Sequence, residues 1–167
     1  MTIAEQFLAE FEQELDTTRR FLEQVPEDRL TWQPHEKSMT LGQLALHIAE
    51  SPEGVLRLVE KDESPVPDFS GGRPQPKTAG EVLDALDRGA AYLRQNLPAI
   101  DDGRMFSTFT FTQGGRTLLS LPRVAFLRSV MLNHWYHHRG QMTVYLRLLD
   151  VPLPSVYGPT ADDNPFG

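Results

Sequence analysis

The amino-acid sequence predicts an all-α fold, a four-helix bundle with a short β-hairpin or extended ribbon between its third and fourth helices. Four segments carry apolar residues three and four positions apart, the spacing of one helix face. The connections between them are short or moderate, which favours packing of the four apolar faces against one another. One stretch before the fourth segment instead alternates residue by residue, as strands do.

The first two helices are predicted over residues 2–25 and 40–59, because a Thr begins each of them in a capping-box pattern. Pro26 ends the first helix. The second helix contains Pro52, which removes the amide that would bond the carbonyl oxygen of Ile48. We therefore expect a kink or a short break in the second helix.

A loop and a third helix follow. Residues 62–77 are rich in Pro, Gly and Ser with few large apolar side chains, which indicates a loop rather than a second core. Thr78 opens the third helix in another capping pattern, and its apolar residues recur at helical spacing until Pro98 ends it.

In the remaining chain, the spacing of the apolar residues changes twice. Over residues 105–119, Phe alternates with Thr and Ser around a Gly-Gly pair, which favours a hairpin or ribbon. Ser120 and Pro122 are typical of a helix start, and the last helix is predicted to run from there to Leu149. Residues 151–167 hold four prolines and are expected to wrap the bundle as an irregular arm.

The composition is that of one domain spanning residues 1–167, with a net charge of −7 and no Cys. Without Cys, any metal must be held by His, Asp or Glu, and a reducing cytoplasm is the predicted compartment. The N-terminus lacks the pattern of a secretory signal, and no 18-residue apolar run occurs. The basic residues are too sparse for a phosphate-binding stripe. We therefore expect neither a membrane nor a nucleic-acid partner.

Three of the five histidines can meet in the predicted bundle. His134 and His138 lie four apart on one face of the last helix, with Cβ atoms about 5–6 Å apart. His47 lies beside the apolar stripe of the second helix and projects inward from another wall. Three neutral imidazoles without a fourth protein ligand are the composition of a catalytic zinc site, and imidazole also suits nickel, cobalt or iron. Alternatively, each is a structural residue bonded to its neighbours.

Other polar residues fit a metal site less well. His137 points away from the face of the histidine pair, and His35 lies in a polar connection. Glu50, one turn beyond His47, could orient that imidazole or act as a base, although solvent exposure is the commoner fate of a helix glutamate. The histidine pair lacks the intervening Glu of an HExxH motif, so a zinc protease is not expected.

Two motifs carry a family resemblance. Residues 134–141, His-Trp-Tyr-His-His-Arg-Gly-Gln, and the segment after them resemble the DinB/YfiT-like superfamily, and residues 44–50, Leu-Ala-Leu-His-Ile-Ala-Glu, resemble its other motif. The resemblance implies a four-helix bundle with a divalent metal bound by three histidines, which correspond here to His47, His134 and His138. Nickel or zinc is the expected ion, with iron, cobalt or manganese as alternatives.

The same resemblance implies a function. Characterised members include thiol S-transferases that use bacillithiol, mycothiol or glutathione, and members of the superfamily form dimers. We therefore predict thiol-dependent S-transferase chemistry on a small-molecule substrate, with a low-molecular-weight thiol as a cofactor and a homodimer as the assembly. A metal-dependent hydrolase and a non-catalytic, stress-related metal-binding bundle are the alternatives. The sequence assigns no catalytic residue and does not decide whether the protein is an enzyme.

Overall fold

Residues 1–68 and 70–166 are described in the computed structural model of the chain. Phe69, in the predicted loop, and Gly167, in the predicted C-terminal arm, lie outside the described residues. The fold is mostly helical with a small three-stranded sheet. The helices are α1 Ile3–Glu23, α2 Leu41–Val59, α3 Ala79–Asn96, α4 Asp102–Phe106, α5 Arg123–Phe126 and α6 His134–Leu148. The strands are β1 Glu63–Pro65, β2 Thr108–Gln113 and β3 Arg116–Pro122.

Side-chain caps fix the starts of the long helices. Thr2 and Glu5 form a complete capping box at α1, and Thr40 and Gln43 form another at α2. The Thr78 hydroxyl caps α3 by accepting a backbone amide of its first turn. Each cap satisfies amides that a helix leaves without partners at its first turn. The predicted starts of these three helices are therefore confirmed.

In the described part of the chain, each helix is too short or too polar to cross a membrane.

Pro52 lies inside α2, which continues through it without interruption. The short break, one of the two predicted alternatives, is therefore wrong, and the kink stays a prediction. The carbonyl oxygen of Ile48, which lacks an amide donor from Pro52, accepts a hydrogen bond of 2.9 Å from the indole Nε1 of Trp135. This long-range donor supplies the partner that a buried carbonyl needs, so the proline does not leave an unsatisfied group in the core.

The predicted ribbon is a β-hairpin with an additional strand. Strands β2 and β3 pair antiparallel through a turn at Gly114 and Gly115, both of which have positive φ angles. Strand β1 pairs parallel with β2, with Glu63 opposite Thr110. The prediction that residues 62–77 form only a loop is therefore wrong at β1. A three-residue strand is too short to show a period in the sequence.

The last helical run begins later than predicted. Ser120 and Pro122 belong to β3, and the helix starts at Arg123. Between α5 and α6, the segment Leu127–Asn133 is π-helical and leads directly into His134. Single π-helical turns inside α-helices occur frequently at functional sites.

A buried arginine joins the sheet to the end of α2. Arg123 is fully buried, and its guanidinium donates to the carbonyl oxygens of Val59, Lys61 and Thr108. Its Nη2 also lies 2.7 Å from a carboxylate oxygen of Asp62. Because β2 is bound to α2 in this way, the sheet can form one wall of a cavity beside that helix.

The C-terminal arm contacts the helices through a buried ion pair between α6 and α1. Arg139 of α6 lies 2.6 Å from the carboxylate of Glu14 on α1. The hydroxyl of Tyr157, in the arm, accepts from Arg139 and donates to Glu14. Since each buried charged group has a charged or polar partner, the network fixes the arm across α1 and α6.

Candidate metal centre

Three histidines from two helices form one cluster. His47 comes from α2, and His134 and His138 come from α6; one ligand atom of each lies within 4.8 Å of the others. The Nε2 atoms of His134 and His138 are 2.9 Å apart. The ring centroid of His47 lies 5.1 Å from that of His134 and 4.6 Å from that of His138. The structure therefore brings together the three residues predicted from the sequence.

The hydrogen bond from Trp135 to Ile48 aligns the two helices at the level of this cluster. Ile48 follows His47 in the sequence, and Trp135 follows His134. The indole is buried and stacks on Phe11 of α1 with ring centroids 5.1 Å apart. Because both bonded residues adjoin histidines, their contact fixes the separation of His47 from His134. The position of Pro52 in the sequence indicates that the carbonyl oxygen of Ile48 needs a donor from outside its own helix, because a buried carbonyl requires a hydrogen-bond partner.

Burial keeps the imidazoles neutral. It lowers the pKa of His47 from 6.5 to about 3, with a further contribution from the charge of His138. It also lowers the pKa of His134 to about 4 and lowers the pKa of His138. The neutral imidazole is the form that offers a lone pair to a metal ion.

Two observations on the hydrogen bonds of the imidazole nitrogens fit a bound cation. The Nδ1 of His138 lies 2.9 Å from the amide oxygen of Gln141, which only accepts, so the Nδ1 carries the proton. The lone pair of its Nε2 therefore points into the cluster, towards the Nε2 of His134. The Nδ1 of His134 is buried and has no hydrogen-bond partner in the described part of the molecule. A lone pair directed at the neighbouring imidazole and a buried imidazole nitrogen without a hydrogen-bond partner both suit a divalent metal ion.

These pKa values predict that the metal-free protein loses stability in acid. In the unfolded protein the histidines have a pKa near 6.5, whereas in the folded protein the pKa of His47 is about 3 and that of His134 about 4. Below pH 6.5 the unfolded state therefore binds protons that the folded state does not bind. We expect the urea midpoint of chelator-treated protein to fall from pH 7.5 to pH 5.0. The fall should be smaller in His134→Gln, which lacks one titrating group. An equal fall in both proteins would contradict the contribution of His134 to the loss of stability in acid.

A cavity of about 460 Å³ adjoins the cluster, and His47 and His134 form part of its wall. Most of the remaining wall is apolar. These side chains come from α2, the π-helical segment, β2 and residues 66–67: Val55, Leu58, Val66, Pro67, Phe111 and Val130. The polar side chains at the cavity are Glu50, Ser51 and Arg73. A cavity of this size and composition can take a small molecule next to the histidines.

The other candidates lie outside the cluster. Glu50 is exposed at the cavity, and partial burial of its carboxyl raises its pKa. His137 is exposed on α6, and the Nδ1 of His35 accepts the backbone amide of Lys37. Neither histidine belongs to the group of possible metal ligands in the described residues.

The geometry agrees with the result of comparison with known families. A model of the DinB superfamily matches residues 10–142, from α1 into α6. The chain belongs to the DinB superfamily. The family resemblance of the two histidine motifs is thereby confirmed.

Relatives from Bacillus species resemble this DinB-superfamily chain over almost its whole length. Uncharacterized protein YrdA of Bacillus subtilis (strain 168) is 24% identical over 159 residues, which cover 94% of this chain and 89% of that protein. The crystal structure of a DinB-like protein from Bacillus cereus ATCC 10987 has a TM-score of 0.71 and 25% identity, and covers 92% of this chain and 97% of that chain. The DinB-like protein YjoA of Bacillus subtilis has a TM-score of 0.65 and 18% identity, with 95% and 98% covered.

The cavity of this DinB-superfamily chain includes residues that the sequence analysis did not assign to a site, among them Arg73 and Phe111. Arg73 comes from the loop after β1, and Phe111 comes from β2. Neither lies in the histidine motifs. Their positions depend on how the loop and sheet pack against α2, which no local pattern in the sequence indicates.

Proposed function

We propose that this DinB-superfamily chain binds one divalent metal ion through His47, His134 and His138 and catalyses thiol-dependent S-transfer to a small-molecule substrate. The observation that supports this proposal is the cluster of three neutral imidazoles beside an apolar cavity. Within the described residues, no carboxylate joins the three histidines in the cluster. Nickel or zinc is the proposed ion, with iron, cobalt and manganese as alternatives.

The proposed chemistry depends on two features of the chain, the absence of Cys and the apolar cavity beside the histidines. With no Cys, the protein has no thiolate of its own, so a thiol cofactor would supply the sulfur nucleophile. A bound divalent ion lowers the pKa of a thiol or water held beside it. The apolar side chains of the cavity would hold the electrophile and exclude water from it. In S-transfer, the sulfur bonds to an electrophilic carbon, the leaving group departs with its electron pair, and the thiol proton is released.

Metal-dependent hydrolysis is the second candidate, and Glu50 favours it. This carboxylate lines the same cavity, and its raised pKa brings it closer to the range that suits a general base. In that reaction Glu50 would take a proton from the attacking water, and no thiol would be needed.

A paired activity screen tests the two candidates. Protein loaded with nickel or zinc is mixed with bacillithiol, mycothiol or glutathione and an electrophile such as 1-chloro-2,4-dinitrobenzene, and separately with ester and amide panels. We expect thiol transfer that is lost in His134→Ala/His138→Ala and retained in Glu50→Gln. Ester hydrolysis without thiol that is lost in Glu50→Gln would favour the hydrolase. Fully metallated protein that is inactive in both arms would leave a non-catalytic metal-binding protein.

Five further properties belong to the same proposal. We propose that residues 1–167 form one domain and that α1, α2, α3 and the helical run ending in α6 form a four-helix bundle. The chain would act as a homodimer, in the cytoplasm, without a nucleic-acid or membrane partner. A monomer in sedimentation at micromolar concentration would contradict the dimer.

A further inference from the structure

A cation lies next to the histidine cluster. Arg73 is half-buried and lines the 460 Å³ cavity, and it also lines an adjoining cavity of about 200 Å³. Its Nη1 is 3.3 Å from the Nδ1 of His47. The wall beyond it is mainly apolar, including Val55 and Phe111. A guanidinium at the edge of an apolar cavity suits a ligand that carries both an apolar part and a negative charge.

Metal binding by His47 would release one hydrogen bond of this arginine. A neutral imidazole has one lone pair and one N–H, so His47 can accept from Arg73 only while its other nitrogen carries the proton. When His47 ligates a metal through either nitrogen, the remaining nitrogen bears a proton and cannot accept. The contact between Arg73 and His47 therefore cannot persist as a hydrogen bond in the metal-bound protein. The N–H that faces His47 in this structure lies at the cavity wall and can then donate to a ligand in the cavity.

We propose that Arg73 binds the carboxylate of a ligand whose apolar body fills the cavity, an inference that rests on the proposed function of the histidine cluster. The planar guanidinium matches the two oxygens of a carboxylate. The apolar body lies along Val55, Leu58 and Phe111, away from solvent. Glu50 lines the same cavity, but the positive charge of Arg88 acts on that carboxyl. The substrate or acceptor is thus an apolar carboxylic acid rather than a neutral hydrocarbon.

A matched pair of probes tests this assignment. Isothermal titration of nickel-loaded protein with 4-butylbenzoate and with uncharged 4-butylbenzamide compares the two head groups on one apolar body. We expect the benzoate to bind about tenfold or more tightly, because hydrogen bonds to charged groups contribute more than neutral ones. Arg73→Gln should remove this preference and leave the affinity for the amide unchanged. Arg57→Gln, an equal loss of charge on the exposed face of α2, should retain the preference.

Three outcomes would overturn the assignment. The first is equal affinity of wild-type protein for the two probes, or binding of neither. The second is an Arg73→Gln variant that loses affinity for both probes alike, because that result indicates a structural role. The third is a preference that survives in Arg73→Gln but is lost in His134→Ala/His138→Ala, because the carboxylate then binds the metal itself.

Metal content measured on the same samples separates this inference from the proposed function. A preference for benzoate that depends on Arg73 in protein with no bound metal would support the carboxylate site and contradict the metal site. Bound metal with no preference for benzoate would contradict the carboxylate site alone.

Discussion

Replacing His134 and His138 together with Ala is expected to weaken binding of Ni²⁺ and Zn²⁺ by more than about 100-fold. Loss of residues that only orient a ligand costs about 10–100-fold in metal affinity, so loss of two direct ligands costs more. The two Nε2 atoms face each other at 2.9 Å and both rings contact His47, so the variant leaves one imidazole in the cluster. Competition with a chromogenic chelator at pH 7.5 measures the affinities.

The matched control for this pair is His137→Ala. His137 lies on the same helix but is exposed and outside the cluster, so its loss should leave the metal affinity unchanged. Circular dichroism confirms that each variant is folded before titration. If the double variant binds nickel and zinc as tightly as wild-type protein does, these histidines are not the ligands.

Trp135→Phe is expected to lower both the stability of the fold and the affinity for metal. Phenylalanine can retain the stacking on Phe11 but removes the indole N–H that donates to the carbonyl oxygen of Ile48. That carbonyl then has no donor, since Pro52 has no amide proton. An unsatisfied buried acceptor costs about 1–3 kcal/mol of unfolding free energy. Metal affinity should fall about tenfold or more, because the contact aligns the two helices that carry the histidines.

Pro52→Ala provides the control for this prediction. It restores a backbone amide that can bond the carbonyl oxygen of Ile48 within α2. Trp135→Phe should therefore cost about 1 kcal/mol less in the Pro52→Ala background than in the wild-type background. Urea unfolding of the four proteins measures this coupling. Independent, additive effects of the two substitutions would show that the indole does not replace the missing helical hydrogen bond.

Local signals in the sequence predict much of the fold. The helix starts at Thr2, Thr40 and Thr78 follow from capping residues, whose hydrogen bonds lie within one turn. The ribbon follows from the alternation of residues 105–119 and a Gly-Gly turn. Two of the three clustered histidines follow from their spacing of four, which places both on one helix face. Each of these features depends on residues that are close together in the sequence, so it can be predicted from the sequence alone.

The remaining features depend on contacts between distant residues. Strand β1 exists because it pairs with β2, more than 40 residues later in the chain. The hydrogen bond to the Ile48 carbonyl oxygen, which Pro52 cannot supply, comes from Trp135, 83 residues beyond Pro52 in the numbering. Ser120 and Pro122 resemble a helix start, but pairing with β2 keeps both in β3. Local propensity is a weak predictor where tertiary pairing decides the conformation.

The most direct test of the three-histidine metal site is the metal content of the protein purified without an affinity tag or chelator. Elemental analysis should find about one equivalent of nickel, zinc or another first-row divalent ion per chain, retained through dialysis against metal-free buffer. A folded protein that stays metal-free after dialysis against those ions would contradict the metal site. The three histidines would then be neutral core residues, and the proposed enzyme would lose its mechanism.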